Sequence, residues 1–206
     1  MTSLIIPCYW ATDELVETTK KCLDSLKYGK PDEVIVVDDG SPIKTDLATI
    51  TLKENQGYTV AVNTGLKKAK GDVIIIGNND LVFTPGWLDA ILLPLERGYD
   101  ISSIGISDQG YETEDRISEG DKFGSLWAMK RKVYKKLGGL DEDLGRGYFT
   151  DLDYQRRAEK AGFRIGKNRN HLVEHEGKGT FKIIDPADTQ YLESMRRYYK
   201  KWGEIH

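Results

Sequence analysis

At 206 residues the chain is long enough to bury a sizeable core, and 30 basic against 33 acidic residues leave a formal net charge of -3. That near-balance supplies no basic field for nucleic acid or an anionic membrane. No apolar run reaches the roughly 18 residues of a membrane span, the start lacks the basic stretch of a secretory signal, and Cys8 and Cys22 have neither metal-like spacing nor the density of a disulfide scaffold. The expectation is a soluble, cytoplasmic protein in a reducing compartment.

Residues 4–6 predict a short first strand stopped by Pro7, with the loop Pro7-Cys8-Tyr9-Trp10 at its carboxyl end. Thr12, Asp13 and Glu14 then open a helix whose inner face carries Leu15, Thr19, Cys22 and Leu26 and which Gly29-Lys30-Pro31 ends. Residues 34–37 form a buried second strand that runs into Asp38-Asp39-Gly40-Ser41. A weaker third strand at 49–52 leads to Glu54-Asn55-Gln56-Gly57 and a helix over 58–70, with Val62, Leu66 and Ala69 inward. Residues 73–76 are an unbroken apolar run ending in Gly77-Asn78-Asn79-Asp80. A strand apolar on both faces belongs inside a parallel sheet covered by helices, where ligands sit at the carboxyl ends of the strands. Thr84-Pro85 reads as N-cap and first residue of a helix to residue 96, which places Asp80 on a short strand-to-helix loop. This alternation predicts an α/β fold around a central, mostly parallel sheet flanked by helices.

The second half is less regular. Residues 101–106 predict a strand and 107–122 a polar, mobile loop. Apolar character resumes at 123–129, a short helix follows at 130–137, and Gly138 to Glu142 turn. Thr150-Asp151-Leu152-Asp153 reads as a capping box before a helix to Lys160, with Gly162 just past its end. Residues 164–165 and 172–173 are short strand candidates, and Asp185-Pro186 starts a last helix with Tyr191, Met195, Tyr198 and Trp202 on one face, suited to docking on the domain.

Four carboxylates, Asp38, Asp39, Asp80 and Asp151, fall at strand ends or a helix start. If they converge, an anionic ligand needs a divalent cation to bind there. Asp80 supplies a hard oxygen ligand and His175 an imidazole, a donor pair that suits Mn²⁺ somewhat better than Mg²⁺. Taken alone, His175 reads more readily as a hydrogen-bonded structural histidine. Lys178, between glycines, is within the type that reaches a phosphate.

These residues, in order, resemble family 2 glycosyltransferases of the GT-A fold. The similarity runs from Ile5-Ile6-Pro7-Cys8-Tyr9 through Val36-Val37-Asp38-Asp39-Gly40-Ser41, Asn55-Gln56-Gly57 with Ala61-Val62-Asn63-Thr64-Gly65, and Asn78-Asn79-Asp80 in place of a D-x-D motif. It continues through Gly138-Gly139-Leu140-Asp141-Glu142, Thr150-Asp151-Leu152-Asp153 with Arg157 and Gly162, and His175 with Gly177 and Gly179. Each motif is short; their order over residues 4–180 carries the resemblance. It implies an inverting transfer from a UDP-sugar to a glycan or glycoconjugate hydroxyl. Pro7, Tyr9, Asp38, Asp39, Asn63, Asn79 and Lys178 would serve the nucleotide, with Asp39 accepting from the uracil imide. Asn78, Trp127 and Asp153 would serve the donor or acceptor sugar, Asp80 and His175 a Mn²⁺ (or Mg²⁺) ion, and Asp151 would be the catalytic base. One domain is expected: a nucleotide-binding half (1–100), an acceptor half (101–180) and a C-terminal helix (181–206). The acceptor is expected beside residues 107–127. Two departures stand out: the D-x-D keeps one carboxylate, and the family's Glu before the base is Thr150. A deoxysugar donor on UDP or dTDP, and a non-catalytic sugar-nucleotide or glycan-binding module of the same fold, remain alternatives. A sugar-nucleotide pyrophosphorylase would need a glycine-rich loop after the first strand, which Pro7-Cys8-Tyr9-Trp10 lacks.

Overall fold

The computed structural model describes residues 1–106, 117–120, 123–176 and 189–203. Among them are nine strands: β1 (Thr2–Cys8), β2 (Glu33–Asp38), β3 (Ile50–Thr51), β4 (Val73–Gly77), β5 (Leu81–Val82), β6 (Ile101–Ile106), β7 (Ile117–Glu119), β8 (Leu126–Lys130) and β9 (Ile165–His175). The α-helices are α1 (Asp13–Ser25), α2 (Tyr58–Lys68), α3 (Trp87–Glu96), α4 (Arg131–Leu137), α5 (Thr150–Lys160) and α6 (Thr189–Trp202).

The strands form one sheet in the order β3-β2-β1-β4-β8-β6-β9-β5, with β7 added on β9. β1 to β4 pair in parallel, and β8 lies antiparallel between β4 and β6. Because β6 and β9 are again parallel, β1, β2, β3, β4, β6 and β9 all point the same way, and the sheet is mostly parallel. Successive side chains of a strand face opposite sides. Leu4 and Ile6 accordingly pack with Leu15, Cys22, Trp87 and Ile91 under α1 and α3, while Ile5 packs with Val62, Leu66, Met129 and Tyr154 under α2, α4 and α5. The doubly apolar strands read from the sequence are the middle of this three-layer structure. The carboxyl ends of β1, β2 and β4 consequently open on one side, and the acids follow them.

Several local expectations are corrected. Pro7 does not stop β1 but pairs with Val37. Cys8 O accepts from Asp39 N on the β2 side, so the main chain of Pro7 faces the β4 side, where pairing has already ended at Ile5 and Ile76; its missing N–H costs no ladder bond. Asp80 is not followed directly by a helix. The chain first forms β5, and α3 begins at Trp87 behind Gly86 instead of at Pro85 behind Thr84. The candidates at 164–165 and 172–173 merge into one long strand, β9, which starts at Ile165. Part of the expected mobile loop, Ile117–Glu119, is a strand on β9, while residues 107–116, 121 and 122 lie outside the described residues. Helix α5 starts without a capping box: its N-cap is Phe149, and the Thr150 hydroxyl donates to Gly147 O at 3.0 Å. Its end is as read, because Gly162 (φ 81) closes a double cap with Gly162 N on Glu159 O and Phe163 N on Ala158 O. Helix α6 docks through Ser194, Tyr198 and Trp202, with Tyr191 half exposed; its proposed start at Asp185-Pro186 lies outside the described residues.

Candidate active site

A cavity of about 330 Å³ opens at the carboxyl ends of β1, β2 and β4, a size ordinary for small-molecule sites. Pro7, Tyr9, Asp39, Asn78, Asn79, Asp80 and Asp151 all line it. Four segments distant in sequence therefore meet in one place.

Asp39 follows β2, and its main chain is fixed by Asp39 N donating to Cys8 O at 2.8 Å. Its carboxylate accepts from Gln56 N and Gly57 N, one on each oxygen, both at 2.8 Å. Burial pushes the Asp39 carboxyl above its usual range, against the pull of those two N–H groups and of the Arg146 charge. Asp38 is buried one residue earlier, does not line the cavity, and holds the loop by accepting from the Ser41 main chain and hydroxyl.

Asp80 is held between β4 and β5. Asn78 N donates to Ser125 O and Glu176 N to Asp80 O, each at 3.0 Å. The Asn79 amide donates to Thr19 Oγ1 at 3.0 Å, and the same hydroxyl accepts from Trp10 Nε1 at 2.9 Å. Pairing of Leu81 with His175 in β5 and β9 then brings His175 Nε2 to 3.1 Å from Asp80 Oδ1. The two expected metal ligands are thus adjacent. Two ligands of one octahedral ion, each about 2.1 Å away and at right angles, are about 3 Å apart. Asp80 Oδ1 is buried and accepts no hydrogen bond, so the pair fits one edge of a divalent-cation shell. Among the described residues no group of three or more His, Cys, Asp and Glu side chains assembles, which leaves other coordination positions to water and ligand oxygens.

Asp151 lies in the first turn of α5, where the helix dipole favours a carboxylate. The chain enters that turn through Phe149, a non-glycine residue at φ 64. That conformation costs on the order of 1–3 kcal/mol, and the Phe149 ring is held against Tyr191 and Tyr198 at 5.3 and 5.4 Å. The strain buys the sharp entry that aims Asp151 at the cavity. Burial, then the charges of Asp151 and Asp80, raises the Tyr58 phenol, so this cavity-lining group stays neutral beside both carboxylates.

Asp38 and His175, which reaches the site only beside Asp80, do not line the cavity, and nor do three further expected ligand residues. Asn63 uses its amide to join α2 to the Leu140 turn, donating to Leu140 O and Glu142 Oε1 and accepting from Leu140 N. Trp127 is core, stacked on Phe123 at 4.7 Å and tilted on Tyr154 at 5.3 Å. Asp153 is fully buried and binds Arg157 Nε, Lys201 Nζ and Trp202 Nε1 at 2.7, 2.6 and 3.1 Å, which fastens α6. Lys178 lies outside the described residues. Conversely, Asn55, Tyr58, Arg146, Tyr148 and Phe149 line the cavity without having been singled out for it. Gly145-Arg146-Gly147, a cation between glycines just before the acid motif, was the available signal.

The sheet order, with acids following β2 and β4 and opening α5 around one cavity, matches the GT-A fold. Solved structures agree: a mannosyltransferase from Pyrobaculum calidifontis, in complex with GDP-Man and Mn²⁺, superposes with a TM-score of 0.69 at 19% identity over 97% of this chain and 64% of that one. Glucosyl-3-phosphoglycerate synthase from Mycobacterium tuberculosis superposes with a TM-score of 0.69 at 15% identity over 100% of this chain and 81% of that one. The chain belongs to glycosyl transferase family 2, whose profile matches residues 3–169. It is 30% identical over 145 residues to a dolichol-phosphate mannosyltransferase of Pyrococcus furiosus, which covers 65% of this chain and 38% of that protein. It is 28% identical over 113 residues to an uncharacterized glycosyltransferase of Bacillus subtilis, 50% of this chain and 39% of that one. The chain thus spans less than half the length of these two curated relatives. No helix among the described residues is long and apolar enough to cross a membrane.

Proposed function

We propose that the protein is an inverting, divalent-metal-dependent glycosyltransferase that moves a hexosyl group from a UDP-sugar to a hydroxyl of a glycan or glycoconjugate. The observation that carries this reading is the convergence of Asp39, Asp80 and Asp151 on one cavity, with His175 against Asp80. Asp39 accepts the N3–H of the base. Asp80 and His175 hold the cation, Mn²⁺ by the mixed oxygen and nitrogen donors. When bound, that ion supplies positive charge to a nucleoside diphosphate leaving group. Asp151 takes the proton of the acceptor hydroxyl; the oxygen's electron pair forms the bond to the anomeric carbon. The bond from that carbon to the diphosphate breaks on the opposite side, and its electrons leave with UDP. One displacement inverts the configuration. A base at Asp151 favours a hydroxyl acceptor, because an acceptor phosphate already carries its nucleophilic oxygen as an anion near pH 7. Solved relatives bound to GDP-Man and Mn²⁺, or to UDP-glucose and Mn²⁺, support the donor class and the metal. The test is release of free UDP from a panel of UDP-sugars with Mn²⁺ and simple glycan acceptors. Donor turnover that needs Mn²⁺ and produces an inverted linkage supports the reading; binding without any turnover points to a non-catalytic module.

A further inference from the structure

Arg146 is the one cationic side chain lining the cavity among the described residues. Its Nη2 donates to Asn55 O at 2.8 Å, and its Nε is buried without a hydrogen bond. Its main chain lies against Gly57, where an added Cβ would be 2.7 Å from Arg146 Cβ and 2.9 Å from Arg146 O. Asn55 and Gly57 flank Gln56, and Gln56 N and Gly57 N are the two donors to Asp39. Guanidinium and carboxylate therefore share one wall of the cavity, built on one tripeptide, and the Arg146 charge is felt at Asp39. Both are described residues, yet they form no ion pair with each other. A guanidinium with one hydrogen bond made, to Asn55 O, and a carboxylate thus line the same cavity.

We propose that Arg146 is a base-reading residue that donates to a ring carbonyl while Asp39 accepts the neighbouring ring N–H. This rests on the reading of the cavity as a nucleotide-sugar site and deepens it. The complementary ligand edge is a lactam, a carbonyl next to an N–H. Uracil and thymine offer it at N3 with O4 or O2, and guanine at N1 with O6. Cytosine and adenine present a bare ring nitrogen there and would set its lone pair against the Asp39 carboxylate. An Arg suits this task because its planar fork can hold Asn55 O with one arm and a coplanar base oxygen with another. Asp39 alone detects a proton; the pair detects a proton and an oxygen in fixed order.

The experiment is calorimetric titration, with Mn²⁺ present, of UDP, CDP, 2-thio-UDP and 4-thio-UDP into the wild type, Arg146→Met and Arg146→Lys. Sulfur is a weaker hydrogen-bond acceptor than oxygen and leaves the N3–H in place. We expect the wild type to bind UDP roughly tenfold tighter than one of the two thio analogues, the size of one charge-assisted hydrogen bond. In Arg146→Met that preference should fall to within about twofold, while the preference for UDP over CDP, which Asp39 sets, persists. Arg146→Lys should retain part of it. If Arg146→Met weakens UDP and both thio analogues equally and keeps the wild-type ratio, Arg146 only staples the Asn55 loop and the proposal is overturned. Equal affinity of the wild type for UDP and both analogues overturns it without recourse to a variant, so a poorly folded Arg146→Met does not protect it. A wild type that binds none of these nucleotides contradicts instead the nucleotide-sugar reading beneath it.

Discussion

His175 Nε2 lies 3.1 Å from Asp80 Oδ1, brought there by the pairing of β5 with β9. A short strand that sequence periodicity does not reveal thus brings together the two side chains proposed to hold the cation. The two side chains do separable work. Asp80→Ala should abolish Mn²⁺-dependent UDP binding, because Asp39 and Asp151 would then face the diphosphate without a counter-charge. His175→Gln should weaken Mn²⁺ while leaving the metal-free affinity for uridine unchanged. Titration of Mn²⁺ by electron paramagnetic resonance, with and without UDP, reads both. Unchanged Mn²⁺ affinity in both variants would place the ion elsewhere.

Nucleotide affinity should fall on acidification at a pH above the ordinary Asp value of 3.8, because burial raises the Asp39 carboxyl and only its ionised form accepts from an imide without competition from its own proton. The stability effect has the opposite sign. A raised carboxyl binds more protons folded than unfolded, so Asp39's contribution to stability is fully present below 3.8 and is lost as pH rises through its folded value. Relative to Asp39→Asn, the wild type should therefore bind UDP worse as pH drops while losing less fold stability. UDP affinity and urea midpoints measured from pH 4 to pH 7 check both slopes; parallel curves for the two proteins would remove Asp39 from the titration.

Asp153 fastens the C-terminal helix. It is fully buried and meets Arg157, Lys201 and Trp202. Asp153→Ala removes one acceptor from each of Arg157, Lys201 and Trp202, but Arg157 keeps Leu137 O and Gly139 O and Lys201 keeps Asp141, so the loss should be about 1–3 kcal/mol. The urea midpoint should drop accordingly, and protease should cleave near Thr189–Trp202 sooner than in the wild type. A variant as stable as the wild type would contradict the anchoring role.

Gly57 is at φ 99 and ψ 161, a region that residues with a Cβ avoid, and an added Cβ meets Arg146 at 2.7 Å. Gly57→Ala should cost about 1–3 kcal/mol of stability and also weaken UDP binding, since Gly57 N holds Asp39 Oδ2. Thermal melts and UDP titration on one preparation check the pair of effects; loss of stability with unchanged affinity would separate Gly57 from the base site.

Much of this architecture is legible in the residues. The doubly apolar runs around Ile5, Val36 and Ile75 locate the central strands, and the acids at their ends locate the mouth of the cavity. β5 is not legible, because two residues carry no period and their pairing partner is distant. The motifs mislead where membership is mistaken for orientation. Asp151 and Asp153 are two apart on α5, about 200° around a helix, so they face opposite ways: one into the cavity, the other onto α6. Trp127 alternates with Leu126 on β8 and falls to the core face under Tyr154. Asn63 lies on the face of α2 that meets the Leu140 turn.

The central claim is that Asp151 acts on the acceptor and not on the donor. Asp151→Asn keeps the shape of the side chain and removes its basicity, so UDP and Mn²⁺ affinities should stay within a few-fold of the wild type. Sugar transfer should nevertheless fall by roughly 10²–10⁴-fold, the usual worth of a positioned general base. The decisive measurement is the transfer rate of Asp151→Asn at saturating UDP-sugar and Mn²⁺. A loss of that size with donor binding intact is the predicted result; a near-wild-type rate, or a loss that merely follows lost UDP binding, would contradict the assignment.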